Sequence, residues 1–415
     1  MPTIDTVVIG AGQAGLAVSR LLTDHGHEHV VLERGRLAER WRSERWDSLR
    51  LLTPNWMNRL PHWAFRGPDP NGFMTAAEFT GYLEAYARWS AAPVLEHRAV
   101  RAVESAGGRF AVSTEDGCWR ANEVVIATGW CDRPSVPPVA RGLGPDIVQA
   151  TPTGYRNPSS LPPGGVLVVG ASATGVQLAH ELAVSGREVV LAVGSHSRMP
   201  RRYRGHDVYW WLAATGSLDR TIDQMPDVVA ARAEPSLQLV GRADHADLDL
   251  AVLHSVGVRL CGRLVGLDGY RAEFADDLHI TVAAADARMA RVLADIDACA
   301  DRFRLTRHPR PSDPARPVQV NQRSTVRSLH LRRRGITSVL WATGYRRSHR
   351  WLRLPALDRH GEIRQRRGVT PVPGLYVVGQ RFQHFRSSSF IHGVGRDAAF
   401  VADHIVAKGR RPAIA

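Results

Sequence analysis

The feature that most constrains this chain is a strand–glycine–helix pattern that occurs twice. Thr6-Val7-Val8-Ile9 is an apolar run of strand length, followed at once by Gly10-Ala11-Gly12-Gln13-Ala14-Gly15. Ala14, Ala17, Val18 and Leu21 then recur at helical spacing, and Val30-Val31-Leu32 reads as a second strand ending in Glu33 and Arg34. The pattern returns at Val166-Leu167-Val168-Val169, then Gly170-Ala171-Ser172-Ala173-Thr174-Gly175, a helix facing inward through Val176, Ala179 and Ala183, and the strand Val189-Val190-Leu191-Ala192-Val193. A chain patterned this way is expected to be α/β, with two Rossmann-like dinucleotide-binding domains.

The residue types explain the chemistry. Gly10 permits a tight turn, Gly12 lets a pyrophosphate approach the backbone, and Gly15 allows helix and strand to pack closely. The helix N-terminus supplies unpaired N–H groups and a positive dipole end to phosphate. Glu33 lies 23 residues after Gly10, where a carboxylate accepts hydrogen bonds from a ribose diol, so the first loop suits FAD or NAD. At the same offset from Gly170 stands Val193, followed by Ser195, His196, Arg198, Arg201 and Arg202. Hydroxyls and arginines hold a 2′-phosphate that a carboxylate would repel, so the second loop is expected to prefer NADPH.

Two further junctions share a motif. Glu123-Val124-Val125-Ile126 runs into Ala127-Thr128-Gly129, and Ser338-Val339-Leu340-Trp341 runs into Ala342-Thr343-Gly344. They bracket the second βαβ unit and suggest an insertion: an FAD domain made of residues 1–160 and 336–415, with an NADPH domain at 161–335. Thr75 and Glu78 form a capping box ahead of Phe79, Tyr82, Leu83 and Tyr86. Met289, Val292, Leu293 and Ile296 predict another amphipathic helix, and residues 307 to 317 read as a Pro-rich loop.

Composition narrows the function. The 54 basic side chains exceed the 40 acidic ones, a net charge of +14, but Lys408 is the only lysine and the arginines are spread along the chain. No nucleic-acid module accompanies them, so no nucleic-acid partner is expected. Cys118, Cys131, Cys261 and Cys299 form no C-x-x-C pair, which argues against dithiol redox chemistry and a zinc ribbon. The His-rich run from Asp24 to His29 reads as a solvated turn, with no metal expected. No apolar run is long enough to span a membrane and no leader is legible, so a cytoplasmic protein is expected.

Glu39-Arg40-Trp41-Arg42, Arg45-Trp46-Asp47-Ser48-Leu49-Arg50-Leu51-Leu52-Thr53-Pro54 and the stretch Thr75 to Ala87 add to the two glycine loops and the two Ala-Thr-Gly junctions. Together these residues resemble the class B flavoprotein monooxygenases, in particular bacterial flavin-containing monooxygenases and plant indole-3-pyruvate monooxygenases. The resemblance covers about residues 5–205 and 336–400, and leaves 206–330 unplaced. It implies that residues 10–15, Glu33, Trp41, Arg42, Ser48, Leu49 and Thr53 contact FAD, that Val100 meets the adenine, and that the segment with Gly379, Gln380 and Ile391 closes over the flavin. It also implies helix onset near Gly393. Thr151 stands where the family's identifying stretch has a histidine, and Ala38-Glu39 where it commonly has a glycine pair.

The activity so implied is FAD- and NADPH-dependent monooxygenation, in which a C4a-(hydro)peroxyflavin gives one oxygen atom to a small organic substrate. Asn55, Arg386 and His392 are the candidate catalytic groups. The expected partners are that substrate and molecular oxygen, with a homodimer left open. Two alternatives stand beside this reading: an NADPH oxidase or reductase passing electrons to another acceptor, and a non-catalytic flavin or nicotinamide redox sensor.

Overall fold

Two sheets, each built around one glycine loop, organise the computed structural model, which describes residues 1–303 and 326–409. In the first sheet β1 (Thr3–Ile9) leads through α1 (Gln13–Asp24) to β2 (His29–Leu32), and the two strands pair in parallel. Ala14, Ala17 and Val18 bury the face of α1 that the spacing predicts. Helix α2 (Ala76–Trp89) begins at the expected capping box: Thr75 Oγ1 accepts from Glu78 N at 3.1 Å and Glu78 Oε2 accepts from Thr75 N at 2.7 Å. Its Phe79, Leu83 and Tyr86 are fully buried.

The short β3 (Val94–Leu95) extends the sheet beyond β2, and β4 (Val100–Ala106), β5 (Arg109–Thr114) and β6 (Gly117–Ile126) form an antiparallel run. β6 also pairs in parallel with β1.

The second sheet is all parallel. It contains β7 (Val148–Ala150), β8 (Gly165–Val169), β9 (Val189–Ala192), β10 (Arg259–Cys261) and β11 (Ile336–Trp341), in the order β7-β11-β8-β9-β10. Every residue of β8 and β9 is buried, as parallel strands covered on both faces require. Helix α3 (Ala173–Val184) joins β8 to β9. Helix α4 (Val208–Ala214) and the long α5 (Leu278–Phe303) follow, α5 burying Met289, Leu293 and Ile296 with Val292 beside them. The loop expected at 307–317 lies outside the described residues.

This strand order corrects the expected boundaries. β7 and β11 fall within the parts assigned to the first domain, yet both hydrogen-bond into the second sheet. β11 is buried on both faces, so it is stable only between neighbours, which β7 and β8 provide. The chain crosses between the sheets beside Ser135, whose N–H meets Gly344 O at 2.9 Å, and Tyr345-Arg346 pairs antiparallel with Arg133-Pro134. It then returns to the first sheet through β12 (Leu375–Val377), parallel to β6, and ends in α6 (Val394–Gly409). Among the described residues no helix is long and apolar enough to cross a membrane.

A β-carbon at Gly15 would collide with the Gly10 carbonyl, whereas one at Gly12 meets nothing within 4 Å. Gly15→Ala should therefore cost about 1–3 kcal/mol of stability. Gly12→Ala should stay within about 1 kcal/mol of the parent. Chemical denaturation of the two variants checks the contrast.

Candidate active site

The two loops share one geometry. Gly10 and Gly170 both sit at φ +107°, a conformation that suits glycine. A β-carbon on Gly10 would stand 2.8 Å from Ala127 O, and one on Gly170 would collide with Ala342 O. Each Ala-Thr-Gly junction thus backs its own loop, with Gly129 and Gly344 at φ +75° and +85°. Gly15 and Gly175 stack in the same way on the carbonyls of Gly10 and Gly170.

Neither α1 nor α3 has a side-chain N-cap; Gly12 faces open space and the Ser172 hydroxyl makes no cap bond. Two helix ends with uncapped N–H groups behind a glycine turn form cradles that fit a pyrophosphate.

The surroundings distinguish the two. Glu33 closes β2, its Oε2 accepting from Ala11 N at 2.8 Å and its Oε1 from Gly35 N at 3.1 Å. Arg98 N reaches Glu33 O at 2.7 Å, bringing the segment that leads to Val100 alongside. From the C-terminal side, Gln13 Nε2 donates to Ser389 O at 3.0 Å, and a β-carbon on Gly379 would lie 2.7 Å from Ala14 Cβ. Ile391 packs in the same core as α1, and α6 starts at Val394 as the resemblance implies.

This wall carries unused polar capacity. Gln380 Nε2, Gln383 Nε2 and His392 Nδ1 are buried without a hydrogen-bond partner, while Gln380 Oε1 accepts from Arg347. Such groups fit a polar ligand laid across the loop. Burial lowers His392 to a pKa of about 4, with Arg59 adding to the effect, so the ring is neutral at pH 7. It can offer a hydrogen bond there but not a standing positive charge.

Other expected contacts go elsewhere. Trp41 packs edge-on to Phe79 at 4.7 Å, Arg42 donates to Leu37 O and pairs with Glu84, and Arg34 pairs with Glu44 on the surface. Ser48 donates to Glu181 of α3 and Leu49 packs on the second core, so this stretch docks the first unit onto the second. Thr53 Oγ1 donates to Asn58 Oδ1 at 2.7 Å.

Asn55, expected to be catalytic, spends both ends of its amide on the loop opposite. Its Nδ2 donates to Asp69 O at 2.9 Å and its Oδ1 accepts from Met74 N at 3.1 Å. Here it is a clamp.

The second loop also overturns an expectation. Arg198 is buried between Asp249 at 2.7 Å and Asp286 at 2.5 Å. Arg201, fully buried, pairs with Asp207, donates to Leu52 O at 2.8 Å and lies over Phe73 at 4.5 Å. Neither is available to a phosphate; a guanidinium out of water satisfies itself on carboxylates and carbonyls first. His196 is buried with Nδ1 on Gly194 O, and burial lowers its pKa. Ser195 remains exposed at the end of β9, and Arg288, which sequence reasoning missed, donates to His196 O beside it. Thr343 is turned to Ser135 O. Gln238 was also missed: its amide donates to Ala171 O at 2.7 Å and steadies the second loop.

The stretch left unplaced by sequence lies across the C-terminal wall. Leu218 O and Arg220 O accept from Ser387 N and Arg386 N, and Ile222 N donates to His384 O at 2.7 Å. Asp219 pairs with Arg396, while Glu234 takes Arg386 at 2.6 Å through its carboxylate and Arg381 through its carbonyl. Arg386 is therefore an anchor of this strap.

Residues 7–215 match the pyridine nucleotide-disulphide oxidoreductase family model, half of the chain. The chain belongs to that family. It is 31% identical, over 97% of its length and 98% of the relative's, to the "Uncharacterized oxidoreductase CzcO-like" of Geobacillus kaustophilus. The probable indole-3-pyruvate monooxygenase YUCCA4 of Arabidopsis thaliana is 31% identical over 42% of this chain and 43% of its own. In fold it is similar to a flavin-containing monooxygenase from Stenotrophomonas maltophilia, at TM-score 0.68 and 19% identity over 99% of this chain and 100% of that one. Unlike the dithiol chemistry in the family's name, the four cysteines here are all unpaired and far apart in sequence.

Two outcomes are expected. Arg201→Ala leaves Asp207 without its cation and should cost about 3–5 kcal/mol in urea unfolding. The preference between NADPH and NADH should not change. For His392, whose pKa is lowered on folding, the unfolded chain takes up the proton first, so stability is lost as pH falls from about 6.5 to about 4. Over that window the loss reaches roughly 3 kcal/mol. His392→Gln should flatten that part of the stability–pH curve.

Proposed function

We propose that this oxidoreductase is an FAD- and NADPH-dependent monooxygenase acting on a small organic substrate. The observation that carries the reading is the pair of matching glycine cradles, in a chain with no dithiol. FAD is assigned to the first cradle because Glu33 stands at the ribose end and the 379–394 wall lies across the loop with unmet donors. NADPH is assigned to the second because β9 ends without a carboxylate, leaving Val193, Gly194 and exposed Ser195 with Arg288 nearby. Bound there, the two cofactors supply hydride transfer to flavin and activation of molecular oxygen by the reduced flavin.

The chain's own residues do the rest. Residues 10–15 and 170–175 hold phosphate on uncapped N–H groups, and Gln238 keeps the second loop in place. The first turn of α6 directs a positive dipole end to the wall where negative charge would develop. Neutral His392 offers a hydrogen bond without adding charge. The strap, pinned by Glu234 and Asp219, excludes water, whose entry favours loss of oxygen as peroxide.

With FAD, NADPH and ¹⁸O₂, the protein should place one labelled atom in a reactive amine, sulfide or ketone from a substrate panel. Peroxide accounting for all oxygen consumed with every compound would make it an oxidase instead. Glu234→Ala should leave NADPH reduction of flavin within about twofold while raising the peroxide fraction severalfold, measured by parallel oxygen and peroxide assays.

A further inference from the structure

A cavity of about 210 Å³ lies apart from both glycine loops, with aromatic walls and an arginine. Its construction is local. Arg202-Tyr203 and His206-Asp207 form a hairpin whose turn residues, Arg204 and Gly205, sit at φ +44° and +81°. The register sets Arg202 opposite Asp207, and Arg202, His206 and Asp207 all line the cavity. Asp207 then caps α4 by accepting from Tyr209 N at 2.8 Å, and the helix presents Trp210, on which the His206 ring stacks at 4.1 Å.

Trp56 also lines the cavity; its backbone N–H donates to Pro70 O at 2.8 Å, and the residue remains 36% exposed. Trp210 is itself braced edge-on against Trp211 at 4.8 Å.

The polar groups converge on an anion. Asp207 is neutralised by buried Arg201, which leaves Arg202 as the cavity's standing charge. Arg202 is exposed and spends one nitrogen on Gly205 O at 2.8 Å. His245 also lines the space; its Nδ1 is buried without a hydrogen-bond partner, and its backbone is held at φ +52°. An unsatisfied buried donor or acceptor is costly, and a ligand oxygen would relieve it.

We propose that this cavity binds a monocyclic aromatic carboxylate, its ring against Trp56 and Trp210 and its carboxylate on Arg202 and His245. Size supports one ring: a dry cavity of roughly 150 Å³ holds benzene, and the remainder here suits a carboxylate. A guanidinium binds a carboxylate in bidentate fashion, and indole faces favour a planar ring over a saturated one. The site is separate from the dinucleotide loops. Tyr209, beside Trp210 on α4, does not line the cavity; it meets Phe390 at 5.9 Å, and Phe390 meets His392 at 5.7 Å.

The test is isothermal titration of benzoate into the 415-residue protein as purified. Saturable one-site binding is expected, with benzamide and cyclohexanecarboxylate at least about tenfold weaker. Arg202→Gln, a surface change, should weaken benzoate about tenfold or more and leave benzamide unchanged. Trp56→Ala should weaken both aromatic ligands, and unchanged melting curves confirm that each variant is folded. No saturable heat at millimolar benzoate overturns the assignment, as does equal affinity for benzoate and benzamide or an unaltered affinity in Arg202→Gln.

Discussion

The contact on which the structure depends is the one between Gly15 and the Gly10 carbonyl, repeated at Gly175 and Gly170. It brings the first turn of each helix directly onto the end of the preceding strand, with no side chain between them. That approach leaves the helix N–H groups uncapped over open space and aims them past the sheet. Ala127 and Ala342 back the turns so closely that the strands β6 and β11 must lie where they do. A fold built this way has two cradles before it has any catalytic side chain.

Buried arginines brace the second unit, and one of them joins it to the first. Arg201 ties Leu52 of the first unit to Asp207 of the second, between the rings of Phe73 and Tyr209. Arg198 and Arg204 are likewise buried on carboxylates. Arg187 donates to four backbone carbonyls between Pro158 and Gly164, fixing the entry to β8. Part of the chain's basic excess is therefore internal scaffolding. A guanidinium suits this use because its planar fork can satisfy several acceptors at once.

What sequence revealed and what it did not divides by range. Both glycine loops, the Thr75–Glu78 cap and the face of α5 follow from residues within a turn or two of each other, Glu33 from its fixed offset along one βαβ unit, and the start of α6 from the resemblance. The partners of β7 and β11 have no local signature. The apolar run of β11 says that it is buried, not in which sheet, while β7 is three mostly exposed residues with no apolar run at all, and the two Ala-Thr-Gly junctions looked like brackets when each serves its own loop. Arg198 and Arg201 were plausible phosphate ligands until Asp207, Asp249 and Asp286 folded onto them. The strap at 217–236 was illegible for the same reason: Glu234 gains its meaning from Arg381 and Arg386, about 150 residues away. Asn55 was expected to be catalytic, but its amide is occupied by a loop whose path the sequence does not dictate.

Anaerobic titration of the purified, flavin-loaded protein with NADPH tests the central assignment most directly. If the two cradles hold FAD and NADPH, the flavin absorbance bleaches in proportion to added NADPH, close to one equivalent per flavin, and NADH is the poorer reductant. A protein that retains no flavin, or whose bound flavin keeps its absorbance through excess NADPH, would contradict the assignment.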